Sequence, residues 1–243
     1  RKFIILNPKR EISNKSLKYF NNLVIKRSKG EPVAYLVEKK YFWKYEFIVS
    51  KDVLIPRPDT ELIVEQVLNL TKNKQSLSLL DVGTGSGCIL LSILKDKKNF
   101  FGTGIDISKK SLNICKINAQ NLDIINRLKL FKSDIDNFRF GKYDLIISNP
   151  PYIKENELKY LDREIVGFEP LKALNGGIDG LSEINKVINR SSELIKKNGI
   201  LVLEINYNQK RIVIKLLENN GFFIKKVVKD LSNNDRCIIS VKI

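Results

Sequence analysis

Ser148-Asn149-Pro150-Pro151-Tyr152 follows the apolar run Tyr143-Asp144-Leu145-Ile146-Ile147. A β-branched run of this kind reads as a buried strand, and two prolines forbid its continuation as strand or helix. Asn149 is then left at the carboxyl end of a strand, on a stiffened backbone, where open α/β sheets place their ligands. The Asn149 amide, the Pro150 carbonyl and the Tyr152 ring would face a common pocket. Alone, the same residues equally describe a strand that stops at an ordinary Pro-Pro turn.

Leu79-Leu80-Asp81-Val82-Gly83-Thr84-Gly85-Ser86-Gly87 sets a buried strand directly before a glycine-rich turn and a helix. The glycines let the backbone bend sharply and approach a ligand, and the helix amino end offers free N–H groups. The spacing G-x-G-x-G is neither the G-x-G-x-x-G of a nicotinamide fingerprint nor a P-loop ending in Gly-Lys-Ser/Thr. The next predicted strand ends at Gly104-Ile105-Asp106, where a carboxylate can accept both hydroxyls of a ribose. The one after ends at Ser133-Asp134-Ile135, where a carboxylate and an apolar side chain could flank an adenine. Three consecutive strand ends with ligand-competent residues point to a nucleoside site.

These groups need elements to position them. Periodicity predicts strands over 77–82, 101–106, 127–132, 143–148, 199–205, 222–228 and 236–242, and helices over 87–95, 109–121, 180–197 and 208–220. Such alternation implies a mainly parallel sheet covered on both faces, with the last two strands as an antiparallel pair at one edge. Upstream, Ile55-Pro56-Arg57-Pro58-Asp59-Thr60-Glu61 is a rigid loop entering a helix over 61–70, capped by Asp59 or Thr60. Its prolines would fix the direction of Arg57, although a surface turn fits equally. Residues 45–49 alternate like a strand and are expected to pair with 53–55 in a hairpin. Ser13 or Asn14 would cap a helix to about residue 28, with Leu17, Phe20, Leu23 and Val24 on one face. Residues 153–179 lack clear periodicity and are expected to form a lid or substrate loop. The chain thus divides into a helical segment and linker over 1–45 and a larger domain over 46–243.

The 243 residues carry 43 Lys and Arg against 27 Asp and Glu, a formal net charge of +16. That balance fits an anionic partner such as RNA or a ribosome-associated factor. Compositional drift toward lysine along the whole chain would produce it too, and stretches such as Lys95, Lys97, Lys98 fit a solvated face. No apolar run approaches the roughly 20 residues that span a bilayer. The three cysteines lie far apart and histidine is absent, which removes Ser-His-Asp and Cys-His catalysis and leaves a structural zinc site or disulfide framework without support. No metal and a cytoplasmic location are expected. The first residue is not methionine, so an N-terminal piece is expected to be missing or removed.

Taken together, Asp81-Val-Gly-Thr-Gly-Ser-Gly87, Asp106, Asp134 and Asn149-Pro-Pro-Tyr152 resemble a class I S-adenosylmethionine-dependent methyltransferase that acts on amino groups. Leu54-Ile-Pro-Arg-Pro-Asp-Thr-Glu61, Gly30-Glu-Pro-Val-Ala-Tyr35, Phe168-Glu-Pro-Leu-Lys-Ala-Leu174 and Gly176-Gly-Ile-Asp-Gly180 narrow the resemblance to the HemK/PrmC family, protein glutamine methyltransferases that modify peptide chain release factors. The resemblance covers essentially the whole chain. It implies an α/β fold with a seven-stranded, mostly parallel Rossmann-like sheet and an antiparallel edge hairpin, behind a small, truncated helical N-terminal segment. It also implies methyl transfer from S-adenosylmethionine to the side-chain amide of the glutamine in a release factor's Gly-Gly-Gln loop, leaving S-adenosylhomocysteine. By the family pattern Gly83, Thr84, Gly85, Ser86 and Gly87 would hold the methionine portion, Asp106 the ribose, and Asp134 with Ile135 the adenine, with Asn149 beside the cofactor. Asn149, Pro150 and Tyr152 would be catalytic, and Pro151 and Arg57 would complete the substrate contacts. The partners implied are release factors, met by a monomer without need of membrane or stable nucleic-acid binding.

Two residues depart from the pattern: Glu38 and Asn206 stand where glycine is usual. Glu38 bears on the local turn of the linker, and Asn206 could adopt a left-handed conformation, so that change is tolerable. Asn-Pro-Pro-Tyr also occurs in methyltransferases of the exocyclic amino groups of adenine or guanine in DNA or RNA. That activity, a ribosomal-protein glutamine methyltransferase, and a catalytically silent RNA-binding module on the same fold are the competing readings.

Overall fold

The apolar runs bounded by glycine and proline become strands of one sheet in the computed structural model, which describes residues 2–243. In chain order, a hairpin of β1 (Lys39–Phe42) and β2 (Tyr45–Ile48) precedes the sheet strands β3 (Ser78–Val82), β4 (Phe101–Asp106), β5 (Leu128–Lys132), β6 (Tyr143–Ser148), β7 (Ile195–Glu204), β8 (Phe222–Lys229) and β9 (Asp235–Lys242). Their order is β5-β4-β3-β6-β7-β9-β8. β3 to β7 are parallel, and β9 enters antiparallel between β7 and β8. The chain reverses direction across the sheet between β3 and β6, so the carboxyl ends of these two strands border the crevice where such folds bind ligands.

The helices are α1 (Lys2–Leu6), α2 (Asn14–Ser28), α3 (Val33–Leu36), α4 (Glu61–Leu70), α5 (Cys88–Asp96), α6 (Lys109–Asn121), α7 (Arg163–Phe168), α8 (Ser182–Leu194) and α9 (Lys210–Asn219). One apolar layer packs α4, α5 and α6 on the sheet through residues such as Ile63, Val67, Leu91 and Leu94. The other packs α8 and α9 through Ile184, Ile188, Val213 and Leu217. Each helix presents these residues at 3.6-residue spacing, so both faces of the sheet are dry.

The hairpin differs from expectation. Residues 45–48 pair with 39–42 and not with 53–55. Trp43 turns the chain at φ 57°, and Glu61 accepts from its backbone N–H. Phe42 and Phe47, from the two strands, are then buried in the layer with α4. The 53–55 stretch joins no strand, and its Val53 and Ile55 pack with Tyr35 and Val49. Glu38, just before β1, takes φ 56°.

α2 forms where expected, with Ser13 Oγ accepting from Ser16 N at 3.3 Å, yet it buries none of its residues. Leu17, Phe20 and Val24 are exposed. The predicted helix over 180–197 stops at Leu194, because Ile195 already pairs with Tyr143 and the strand then bulges near Asn198, at φ 61°. Residues 153–179 are also less irregular than expected. They fold as short 3-10 turns around α7, pinned by the Arg27–Glu164 ion pair at 2.5 Å and by the ion pair of Arg57 with Glu169.

Candidate functional site

At the end of β3 the backbone N–H groups of Gly83 and Thr84 both donate to the Ile105 carbonyl at 3.0 Å, which ties the glycine turn to β4. Gly83 and Gly85 sit at φ 73° and 55°, conformations that L side chains rarely adopt. A Cβ placed on Gly83 would meet no atom within 4 Å, so this side of the turn faces open space. Asn118 of α6 holds the turn from behind, its Nδ2 donating to the Ser86 carbonyl at 2.9 Å and to the Ile48 carbonyl at 3.0 Å.

Asp81 is 1% exposed. Its Oδ2 accepts from Thr84 Oγ1 at 2.7 Å, while Oδ1 and the neighbouring Ser86 Oγ have no partner among the described residues. Burial pushes the Asp81 carboxyl up to about 7, against the Thr84 hydroxyl, which favours its charged form. At the end of β4, Asp106 accepts from Gly85 N at 3.0 Å and Ser108 N at 2.8 Å. Burial raises its carboxyl as well, opposed by those two bonds. Asp134 accepts from Asp136 N at 3.1 Å and caps the turn after β5. The open side of the glycine turn and the carboxylates of Asp106 and Asp134 at the next strand ends form one cradle that a nucleoside-bearing ligand fits. Thr84, Ser86 and Ile135 are placed differently from the rest of the expected set. Their side chains are buried, so only their backbones can face a ligand. Ile107, directly after Asp106, is 50% exposed.

The second half of the site lies one strand over. Val82 stands beside Ser148 in the β3–β6 register, and Ser148 Oγ donates to the Val82 carbonyl at 2.9 Å. Asn149 therefore emerges next to the glycine turn. Its Nδ2 donates to Thr60 Oγ1 at 3.2 Å, which turns Oδ1 away from Thr60. Among the described residues nothing donates to Asn149 Oδ1 or to the Pro150 carbonyl. The Tyr152 OH donates toward Glu204 Oε1 at 3.4 Å, and Gln209 Nε2 donates to the Tyr152 carbonyl at 3.2 Å and the Gly180 carbonyl at 2.9 Å. Burial, with Glu204 nearby, holds the Tyr152 hydroxyl well above its ordinary value, so it stays a donor. A Cβ on Gly176 would lie 2.8 Å from the Tyr152 Cα and 2.9 Å from the Pro151 carbonyl, so glycine is needed for the 176–180 loop to lie along this segment. Arg57 is not a free cation. It pairs with the buried Glu169, which also accepts from Ile55 N at 3.1 Å.

Three side chains that hold Asn149-Pro-Pro-Tyr152 were given no such role by the sequence: Thr60, Glu204 and Gln209. Thr60 was expected as a helix cap, but it makes no capping bond and serves Asn149. Glu204 left one signal, a carboxylate closing the apolar run 200–203. Asn206 is not left-handed; its N–H donates to Gln209 Oε1 at 3.0 Å. Among the described residues no group of three or more His, Cys, Asp or Glu could hold a metal, and no helix is long and apolar enough to cross a membrane.

Residues 73–240 match the family model of a methyltransferase domain. A release factor glutamine methyltransferase of Caulobacter vibrioides is 37% identical over 98% of this chain and 83% of its own length. Another, of Buchnera aphidicola subsp. Acyrthosiphon pisum, is 38% identical over 100% of this chain and 86% of its length. Among solved structures, a ribosomal protein L11 methylase of Lactobacillus delbrueckii subsp. bulgaricus matches with a TM-score of 0.56, covering 77% of this chain and 81% of that one. At 21% identity that likeness is one of fold.

Proposed function

Since the chain belongs to the release factor glutamine methyltransferase family, we propose that it transfers a methyl group from S-adenosylmethionine to the glutamine side-chain amide in the Gly-Gly-Gln loop of a peptide chain release factor. The observation that carries this reading is the pair of unengaged acceptors, Asn149 Oδ1 and the Pro150 carbonyl, beside a cradle fit for a nucleoside. S-adenosylmethionine, when bound, supplies an activated methyl group on a sulfonium sulfur. The backbones of Gly83 to Gly87 would hold its methionine portion, Asp106 the ribose, and Asp134 with Ile107 the adenine.

An amide nitrogen is a poor nucleophile because its lone pair is delocalised into the carbonyl. Two N–H groups donated to Asn149 Oδ1 and the Pro150 carbonyl fix the nitrogen's direction and favour positive charge developing on it. The Tyr152 ring limits where the amide can sit and can face the cationic methyl group. Orientation of this kind supplies up to roughly 7–11 kcal/mol in favourable systems. The methylated nitrogen loses its proton readily, so no dedicated base is assigned. Arg57, bound to Glu169, shapes the acceptor wall and leaves recognition to other groups. Three free cysteines fit a reducing cytosol.

We assign recognition of the protein substrate to the N-terminal helical segment, whose α2 presents Leu17, Phe20 and Val24 at its surface. The hairpin crosses the 45/46 division, so the catalytic domain is better drawn from Lys39. The test is transfer of labelled methyl from S-adenosylmethionine to purified release factor, ribosomal proteins and RNA, offered in parallel. Label in the release factor, lost when its Gly-Gly-Gln glutamine is replaced by alanine, is the expected result. Label only in RNA or ribosomal protein would overturn it.

A further inference from the structure

Arg236, the second residue of β9, stands at the same carboxyl edge of the sheet as Asn149. Ser148 pairs with Leu203 and Glu204 with Cys237, and the Arg236 carbonyl accepts from Ile205 N at 2.9 Å. Two strand spacings of about 4.8 Å therefore separate its backbone from the acceptor corner. The side chain closes part of that gap. Its Nη2 lies 3.7 Å from Asp59 Oδ2, and the next residue, Thr60, holds Asn149. One edge of the guanidinium is occupied: Nε and Nη2 donate to Asp230 Oδ2 at 3.2 and 3.0 Å. Asp230 Oδ1 is fixed in turn by the N–H groups of Ser232 and Asn234, both at 2.9 Å. The other edge is free. Among the described residues Nη1 has no hydrogen-bond partner, and it is not buried. Asp59 at 3.7 Å is too distant to accept a hydrogen bond from Nη2.

Resting on the functional reading above, we propose that the free edge of Arg236 binds a main-chain carbonyl oxygen of the Gly-Gly step beside the acceptor glutamine. A guanidinium carries five N–H donors and no acceptor, so the unspent edge can take only an oxygen or another acceptor atom. Clamping the β8–β9 turn through Asp230 uses the first edge alone and gives no reason for the second. The local charge selects the kind of acceptor. One cation faces two carboxylates, Asp230 and the exposed Asp59, so a further anion would be repelled and a neutral carbonyl fits. Two glycines carry no side chains, so only their peptide groups can be recognised. A residue of extended peptide spans about 3.5 Å, which brings a carbonyl one or two residues from the glutamine into the space between Asn149 and Arg236. Because Asp230 holds the fork and its own turn holds Asp230, the guanidinium is oriented before the substrate arrives and loses little rotamer freedom on binding.

The test is steady-state methylation of release factor by wild type, Arg236→Gln and Arg236→Lys, with cofactor affinity and thermal unfolding measured on the same preparations. Arg236→Gln should raise KM for release factor about 10- to 100-fold, as loss of a hydrogen bond from a charged donor does. Its kcat at saturation and its cofactor affinity should stay within about twofold of wild type. Arg236→Lys has a single ammonium that cannot hold Asp230 and the substrate together, so KM should still rise at least about threefold. This second variant carries the test if Arg236→Gln does not fold. An unchanged KM in either folded variant overturns the proposal. So does a fall in kcat or in cofactor affinity as large as the rise in KM, because Arg236 then only supports the corner. If wild type methylates no release factor, the functional reading fails and takes this proposal with it, whereas normal labelling with an unchanged KM removes the proposal alone.

Discussion

The cradle at the ends of β3, β4 and β5 is built by neighbours in the chain, whereas the acceptor corner at the end of β6 is built by strangers to it. Thr84 reaches Asp81 across three positions, Asp136 reaches Asp134 across two, and Gly85 reaches Asp106 across 21. Asn149 leans on Thr60 from 89 positions away, Tyr152 on Glu204 from 52, and Arg57 on Glu169 from 112. Local contacts form at little cost in loop closure, while the distant ones exist only once the domain has closed. Each half also hides one carboxyl that burial pushes up to about 7, Asp81 under the cradle and Glu204 under the corner. The difference teaches that the cradle shapes a backbone and the corner polarises side chains. Damage to the first should appear as affinity, and damage to the second as rate.

The strongest test of that division is Asn149→Ala, expected to lower kcat about 10²–10³-fold, as loss of one preorganised hydrogen-bonding group does elsewhere. Cofactor affinity measured by calorimetry should stay within about threefold, because the variant removes no cradle contact. A hundredfold loss of affinity would mean the halves are not separate. Asp106→Ala comes next. If Asp106 accepts the two ribose hydroxyls as proposed, its loss costs about 2–3 kcal/mol, so the cofactor should bind about 30- to 150-fold more weakly with kcat at saturation nearly kept. The smallest effect is on stability. Asp81 keeps its proton in the fold up to about 7, whereas the unfolded chain releases it near 3.8. Between those values the native state binds more protons, so stability falls as pH rises through the window and the loss is complete above 7. Asp81→Asn should remove that slope and unfold at a higher temperature at pH 8. Thermal melts from pH 4 to 8 read both slopes, since Glu204 repeats the behaviour from 4.5 to about 7.

The strands, the glycine turn and the proline stop could be read from the chain because each obeys a rule spanning a few residues: alternation, a positive φ, a missing N–H. The hairpin could not, since residues 45–48 alternate equally well for either partner. What selected 39–42 was the burial of Phe42 beside Phe47 and the hold of Glu61 on Trp43. Asn206 makes a similar point. An asparagine tolerates the left-handed region, but tolerance does not place it there, and Gln209 holds its N–H in another geometry. Ile135, expected to face a ligand beside Asp134, packs into the core, while Ile107 lies at the surface.

By itself the sequence determined the sheet, the cradle and the place where the chain must stop, since these follow from backbone freedoms that single residue types restrict. Only the tertiary structure decided which way the Asn149 amide faces, what holds Arg57, and that a carboxyl stands buried behind the acceptor segment. Hydrogen-bond direction and desolvation belong to the meeting of distant segments, and no spacing along the chain records them.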